Sequence, residues 1–171
     1  RGGRRGSRGR IWRNVSNLSG GGIYLVDHDN PESYLRNLRI QDNLSGEEGG
    51  GIALVGDTAG VVIANNSFAG NECTGHGAGI FVEAEDAGML LVWSNLLYAD
   101  DGTSAISVPY GSGASVAYNT AFLTTSGLPY DVSNTEDDAQ NLVEDPLLVT
   151  FSANGDPSDD DLSPQAGSGL L

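Results

Sequence analysis

The groups in this chain with chemistry to offer are its carboxylates, two histidines and a single thiol, and their spacing narrows what that chemistry is. Asp156-Pro-Ser-Asp-Asp-Asp161 places four carboxylates within six residues, and flexible acidic loops of that kind suit calcium, which takes several oxygen ligands at once. The calcium candidates are therefore Asp156, Asp159, Asp160 and Asp161. A second acidic set, Asp27-His28-Asp29 with Asp57, Glu83 and Glu85, could line one edge of the fold. Neither set has the central glycine and closing glutamate of a calcium loop, so the sequence demands no cofactor and leaves calcium as the one to test. Asp100-Asp101 is a carboxylate pair, but such pairs cleave glycosidic bonds only when apolar surroundings keep one member protonated. These two stand in a polar turn beside Gly102, which keeps both ionised. Cys73, the only cysteine, permits neither an internal disulfide nor a zinc site and reads as a small core or turn residue. No residue is assigned a catalytic role.

The elements that must position these groups follow from composition. Among 171 residues are 25 glycines, about twice the roughly 7% average, and no stretch has the periodicity of a long amphipathic helix. A turn-rich, all-β chain is expected. Lysine is absent, five of the eight arginines lie in the first ten residues, and the remainder carries 23 acids against three arginines. A surface so acidic weighs against nucleic acid and anionic membranes as partners, because both are bound through basic side chains that release counterions. The longest apolar run, Met89 to Trp93, is too short to span a bilayer.

A repeat organises the chain. Gly-Gly-Gly-Ile at Gly20 to Ile23 recurs at Gly49 to Ile52, as Gly-Ala-Gly-Ile at Gly77 to Ile80 and as Thr-Ser-Ala-Ile at Thr103 to Ile106, with isoleucines 29, 28 and 26 residues apart. A period in that range marks units that bury their apolar faces only by stacking on one another. Alternation predicts that Ile23 and Leu25, Ile52 and Leu54, Ile80 and Val82, and Ile106 and Val108 face one core, with Tyr24, Ala53, Phe81 and Ser107 pointing outward to solvent. A second element recurs as Leu35 to Ile40, Ile63 to Phe68, Val92 to Leu97 and Val116 to Ala121, each with an asparagine near its middle. Asn66, Asn95 and Asn119 are expected to form a structural column at an inside corner, where an amide bonds its own turn and the next and tolerates left-handed backbone angles. Short strands always in the same order call for coiling in one direction, each strand parallel to its copy one turn earlier and about 4.8 Å from it.

These repeats resemble right-handed parallel β-helix proteins with Gly-Gly-Ala-Ile type repeats, found among bacterial surface and secreted proteins such as polymorphic outer-membrane proteins. The resemblance covers about Ile11 to Leu171, and Asp145 to Val149, Asn154-Gly-Asp156 and Leu162 to Leu170 are similar to the closing segment of such helices. That segment continues in the family into an Ile-Asp-Ala-Gly stretch, whereas this chain stops at Leu171 and is expected to be truncated there. Polygalacturonases of the same coil type use an Asp-Asp pair and a Gly-His-Gly. Gly75-His76-Gly77 here precedes Asp100-Asp101, the reverse of that order, and the Arg-Ile-Lys element is missing. Pectate lyases need a basic residue beside clustered acids, and after Arg39 there is neither arginine nor lysine.

The sequence thus implies an all-β, right-handed parallel β-helix of about five coils: an arginine- and glycine-rich head at 1–10, the helix at 11–140 and an irregular closing segment at 141–171. The expected role is a non-catalytic, extracellular or cell-surface segment, structural or adhesive, with a polysaccharide-active lyase or hydrolase for acidic glycans as the alternative. Tyr24, Phe81 and Trp93 are the candidate contacts for a glycan, since aromatic faces stack on sugars. Open solenoid ends pair with other strands unless capped, so end-to-end self-association, with the basic head meeting the acidic tail, or a covering flanking domain is expected.

Overall fold

A computed structural model describes residues 9–28, 33–84, 90–99, 104–109, 114–123, 127–132, 140–143, 145, 147–150 and 161–165. The described strands build an all-β solenoid of about four turns, three parallel sheets wrapped around one core. The first sheet stacks Gly9–Trp12, Leu38–Gln41, Ser67–Ala69, Leu96–Ala99 and Thr120–Leu123. The second stacks Ile23–Val26, Ile52–Val55, Ile80–Glu83, Ser104–Val108 and Leu128–Val132, and the third Ser33–Arg36, Val61–Ala64, Leu91–Trp93 and Ser115–Ala117. A ribbon of two-residue strands, Val15–Ser16, Leu44–Ser45 and Glu72–Cys73, closes the first three coils between the first and second sheets. Depth therefore depends on the face: five strands in two sheets, four in the third and three in the ribbon. Leu148–Thr150 pairs antiparallel with Asp161–Pro164 in a separate two-stranded element.

Register converts the repeat into columns of like side chains. Ile23, Ile52, Ile80 and Ile106 stand in single file in the second sheet, followed by Tyr130. Leu35, Ile63, Val92 and Val116 do so in the third, and Ile11, Ile40, Phe68, Leu97 and Ala121 in the first. From the second coil onward these aliphatic columns are fully buried, each large side chain contributing about 1.5–3 kcal/mol before ordering entropy. The recurrent element around each asparagine is two strands meeting at a corner, one in the third sheet and one in the first.

Two sequence expectations are corrected here. Gly9 and Arg10, read as part of a head, belong to the first strand and pair with Leu38 and Arg39. Ala53, Phe81 and Ser107, read as solvent-facing, are 0%, 5% and 0% exposed, and Tyr24 alone of that outward column is open, at 49%. The glycine that begins each step explains part of this burial. Gly49, at φ +66, folds the chain back over the start of its own strand, where a Cβ would lie 2.7 Å from the Ala53 Cβ and 2.5 Å from the Ile52 carbonyl oxygen. The left-handed angle and the missing side chain are both required, which is why the step opens on glycine at Gly20, Gly49 and Gly77.

Candidate functional site

Amide groups at two corners hold the coils together. Asn66 donates its backbone N–H and its Nδ2 to Asn95 Oδ1, at 3.1 and 3.0 Å, and Nδ2 also donates to the Leu35 carbonyl one coil back, at 2.8 Å. Asn95 repeats the pattern on Asn119 Oδ1, at 3.0 Å for both donors, and on the Ile63 carbonyl at 2.9 Å. Asn119 repeats it on Asn141 Oδ1 at 2.9 and 3.1 Å. Asn95 and Asn119 thus each accept twice from the asparagine before them, all three side chains donate to more than one acceptor, and Asn66, Asn95 and Asn119 are almost completely buried. The column opens on Leu38, whose N–H donates to Asn66 Oδ1 but which carries no amide of its own.

The left-handed angles fall one residue earlier than the sequence suggested, at Asn37, Asn65, Ser94, Tyr118 and Gln140. That residue turns the chain so that the next one, the ladder asparagine, points inward. Sequence reading missed Asn141, although it stands 22 residues after Asn119. It also missed a second ladder, in which Asn14 donates to Asn43 Oδ1 at 3.1 and 2.9 Å and Asn43 to Asn71 Oδ1 at 3.2 and 2.9 Å. The signal was there: each asparagine follows Arg13, Asp42 or Gly70, which share one register position and a positive φ. Cys73 pairs in register with Ser45 and so with Ser16, on the ribbon, where the Ser45 hydroxyl donates to the carbonyls of Leu18 and Glu48.

The candidate ligand groups are not gathered into one place. Tyr24 and Phe81 share an outward column two turns apart, but Phe81 is only 5% exposed and offers no face to a sugar. Trp93 lies in the third sheet rather than the second, 37% exposed, with Nε1 donating to Ser115 Oγ at 3.0 Å and its ring edge-on to Tyr118 at 6.0 Å. Asp156, Asp159 and Asp160 fall outside the described residues, as do Asp29, Glu85, Asp100 and Asp101; Asp161 is exposed at the start of its strand. Asp27 Oδ1 accepts the Asp57 N–H at 3.4 Å, and among the described residues no three His, Cys, Asp or Glu side chains form a group able to hold a metal ion.

His76 sits in the turn above Glu48, whose carboxylate accepts the His76 N–H, and its Nδ1 lies 3.5 Å from Asp131 Oδ2. The buried Ser107 hydroxyl donates to that same Asp131 oxygen at 3.3 Å. The carboxylate therefore stands between serine and imidazole, so the imidazole is not placed to take the serine's proton, which a nucleophilic triad requires. Shallow clefts lie among the described residues. One of about 290 Å³ is lined by Asn37, Leu38, Arg39, Asn65 and Ser67, and one of about 240 Å³ by Tyr98, Asp145, Leu147, Leu148 and Gln165.

At the end of the isoleucine file, the Tyr130 hydroxyl lies 2.8 Å from the Asn119 carbonyl and 2.9 Å from that of Leu142, and burial raises its pKa well above the usual tyrosine value. It ties the last strand of the second sheet to the asparagine ladder. The sum of these features defines a β-solenoid repeat protein whose buried amides act structurally. No known family model, curated protein or solved structure matches the chain.

Proposed function

We propose that this chain is a non-catalytic segment of a secreted or cell-surface protein, a right-handed β-helix with Gly-Gly-Ala-Ile type repeats that serves as a rigid structural or adhesive element. The observation that carries the reading is the use made of the asparagines: from Asn66 to Asn119 each amide bonds the coils above and below it. Polar groups committed to neighbouring coils are the mark of a scaffold. The alternative, an enzyme for acidic glycans, needs a base and a protonated acid facing one another. In the His76, Asp131 and Ser107 arrangement the carboxylate instead stands between the hydroxyl and the imidazole.

Glycan contact, if the segment is adhesive, falls to separate exposed aromatics, Tyr24 on one face and Trp93 on another, rather than to a continuous strip. The test is incubation with pectin, alginate and neutral polysaccharides, following reducing ends, unsaturated products and binding by the wild type, Tyr24→Ala and Trp93→Ala. The scaffold reading expects no turnover of any polymer, and an adhesive role expects binding that at least one alanine variant weakens. Sustained product release would replace this reading with the enzymatic one.

A further inference from the structure

The two ends of the solenoid differ in dress and in charge. At the first coil, Ile11, Ile23, Leu25 and Leu35 are only partly covered, whereas their register partners Ile40, Ile52, Leu54 and Ile63 are fully buried. Asn14 is exposed, while Asn43 and Asn71 below it are 1% exposed. Its Oδ1 occupies the place that in Asn43 and Asn71 accepts two N–H groups from the preceding coil. The first coil keeps interior residue types, and its described strands carry no proline, no inward charge and no bulge, so its protection against unwanted pairing rests on short strands and on exposed arginines.

The far end is finished differently. Leu128–Val132 carries Pro129, which lacks an N–H and suits an edge strand, and Tyr130 replaces the isoleucine of its column and bonds back into the ladder. Charge divides along the same axis. Residues 1–39 hold all eight arginines and three acids, a formal +5, and residues 40–171 hold twenty acids and neither arginine nor lysine, a formal −20 with histidine neutral. In the first coil Arg10, Arg13 and Arg36 are exposed, and at the far end Asp131, in the last strand of the second sheet, is half-exposed.

We infer that the uncovered end of the first coil docks the acidic end of a second copy, so that the protein assembles head to tail into open chains. The opposite arrangement, first coil against first coil, would bring two arginine-rich ends together. A head-to-tail contact uses different surfaces on the two copies and does not close after one step, so it grows. Because Pro129 interrupts the last strand, the join relies on arginine–carboxylate attraction and on covering the apolar end. Continuation of the full backbone ladder is not required. This assembly rests on the scaffold reading but fails independently of it, since a monomer would remain a solenoid.

Sedimentation velocity on the whole chain at about 0.01 M and about 1 M salt, where charges are screened beyond about 30 Å and 3 Å, decides the matter. The expected result at low salt is a mass that rises with concentration past that of two copies and returns to one copy at high salt. The variant carrying Arg10→Glu and Arg36→Glu should stay monomeric at low salt, with unchanged circular dichroism and melting. If it misfolds, amide exchange of the wild type serves instead, with Ile23–Val26 protected at low salt and released at high salt. A wild type that is monomeric at low salt overturns the proposal. So does a dimer that grows no further, or association restored only when a peptide supplying one more coil is added, which would assign the face to a preceding segment.

Discussion

Asn95 shows how much one side chain can carry. It accepts two N–H groups from Asn66 and donates to Asn119 Oδ1 and the Ile63 carbonyl, all out of water. Asn95→Ala strands both Asn66 donors and should cost at least about 2 kcal/mol in urea unfolding, since each orphaned buried polar group costs about 1–3 kcal/mol. Asn95→Asp keeps the acceptor but sets a carboxylate against two oxygens that need donors, so it too should destabilise, and less at acid pH, where the carboxyl carries a proton to donate. Cys73 makes the contrasting case: it shares a register position with Ser45 and Ser16, whose hydroxyls are used, so Cys73→Ser should melt within a few degrees of the wild type. Tyr130 adds a pH dependence. Its folded pKa is raised by burial, so its stabilising contribution is complete below the ordinary tyrosine value of 10.0 and is lost as pH climbs above it. Tyr130→Phe should therefore lose about 1 kcal/mol at neutral pH, from the missing hydrogen bond, and show a shallower decline in alkaline melts.

At the scale of elements, the repeating step owes its form to backbone geometry as much as to the core. Gly49→Ala must force a Cβ into a left-handed residue and against Ile52 O, and should destabilise by more than the roughly 1–2 kcal/mol of the backbone angle alone, measured as a shift in urea midpoint. Much of this level was legible beforehand. The isoleucine file, the alternation within the second sheet and the alignment of Leu35 with Ile63, Val92 and Val116 all follow from spacing, because stacking forces equal positions to meet. Other features were not. The burial of Ala53, Phe81 and Ser107 escaped because a period-two pattern says which face a residue is on and nothing about what lies over that face. The second ladder escaped because Asn14, Asn43 and Asn71 lie next to residues as unlike as arginine, aspartate and glycine, whose common property is a backbone angle. The candidate aromatics escaped assembly into one surface because Trp93 and Tyr24 are on different sheets, a relation set by the number of corners between them.

For the whole molecule, stability is a sum of contacts between adjacent coils, with few ties reaching further. Among the described strands Ile23–Val26 pairs on one side only, so at high salt its amides should exchange faster than those of Ile52–Val55 and Ile80–Glu83. Uniform protection across the three strands would show that the coils open together and not in order. The ladders give this arrangement a mechanical meaning. Asn14, Asn43 and Asn71 are tied in series, 29 and 28 residues apart, so a chain tugged from its first residues peels like thread from a spool. Each released winding pays out roughly 100 Å of slack at about 3.3–3.6 Å per residue. In a force–extension measurement the protein should therefore give way one winding at a time, and a single all-or-none release would show that the coils do not part in order.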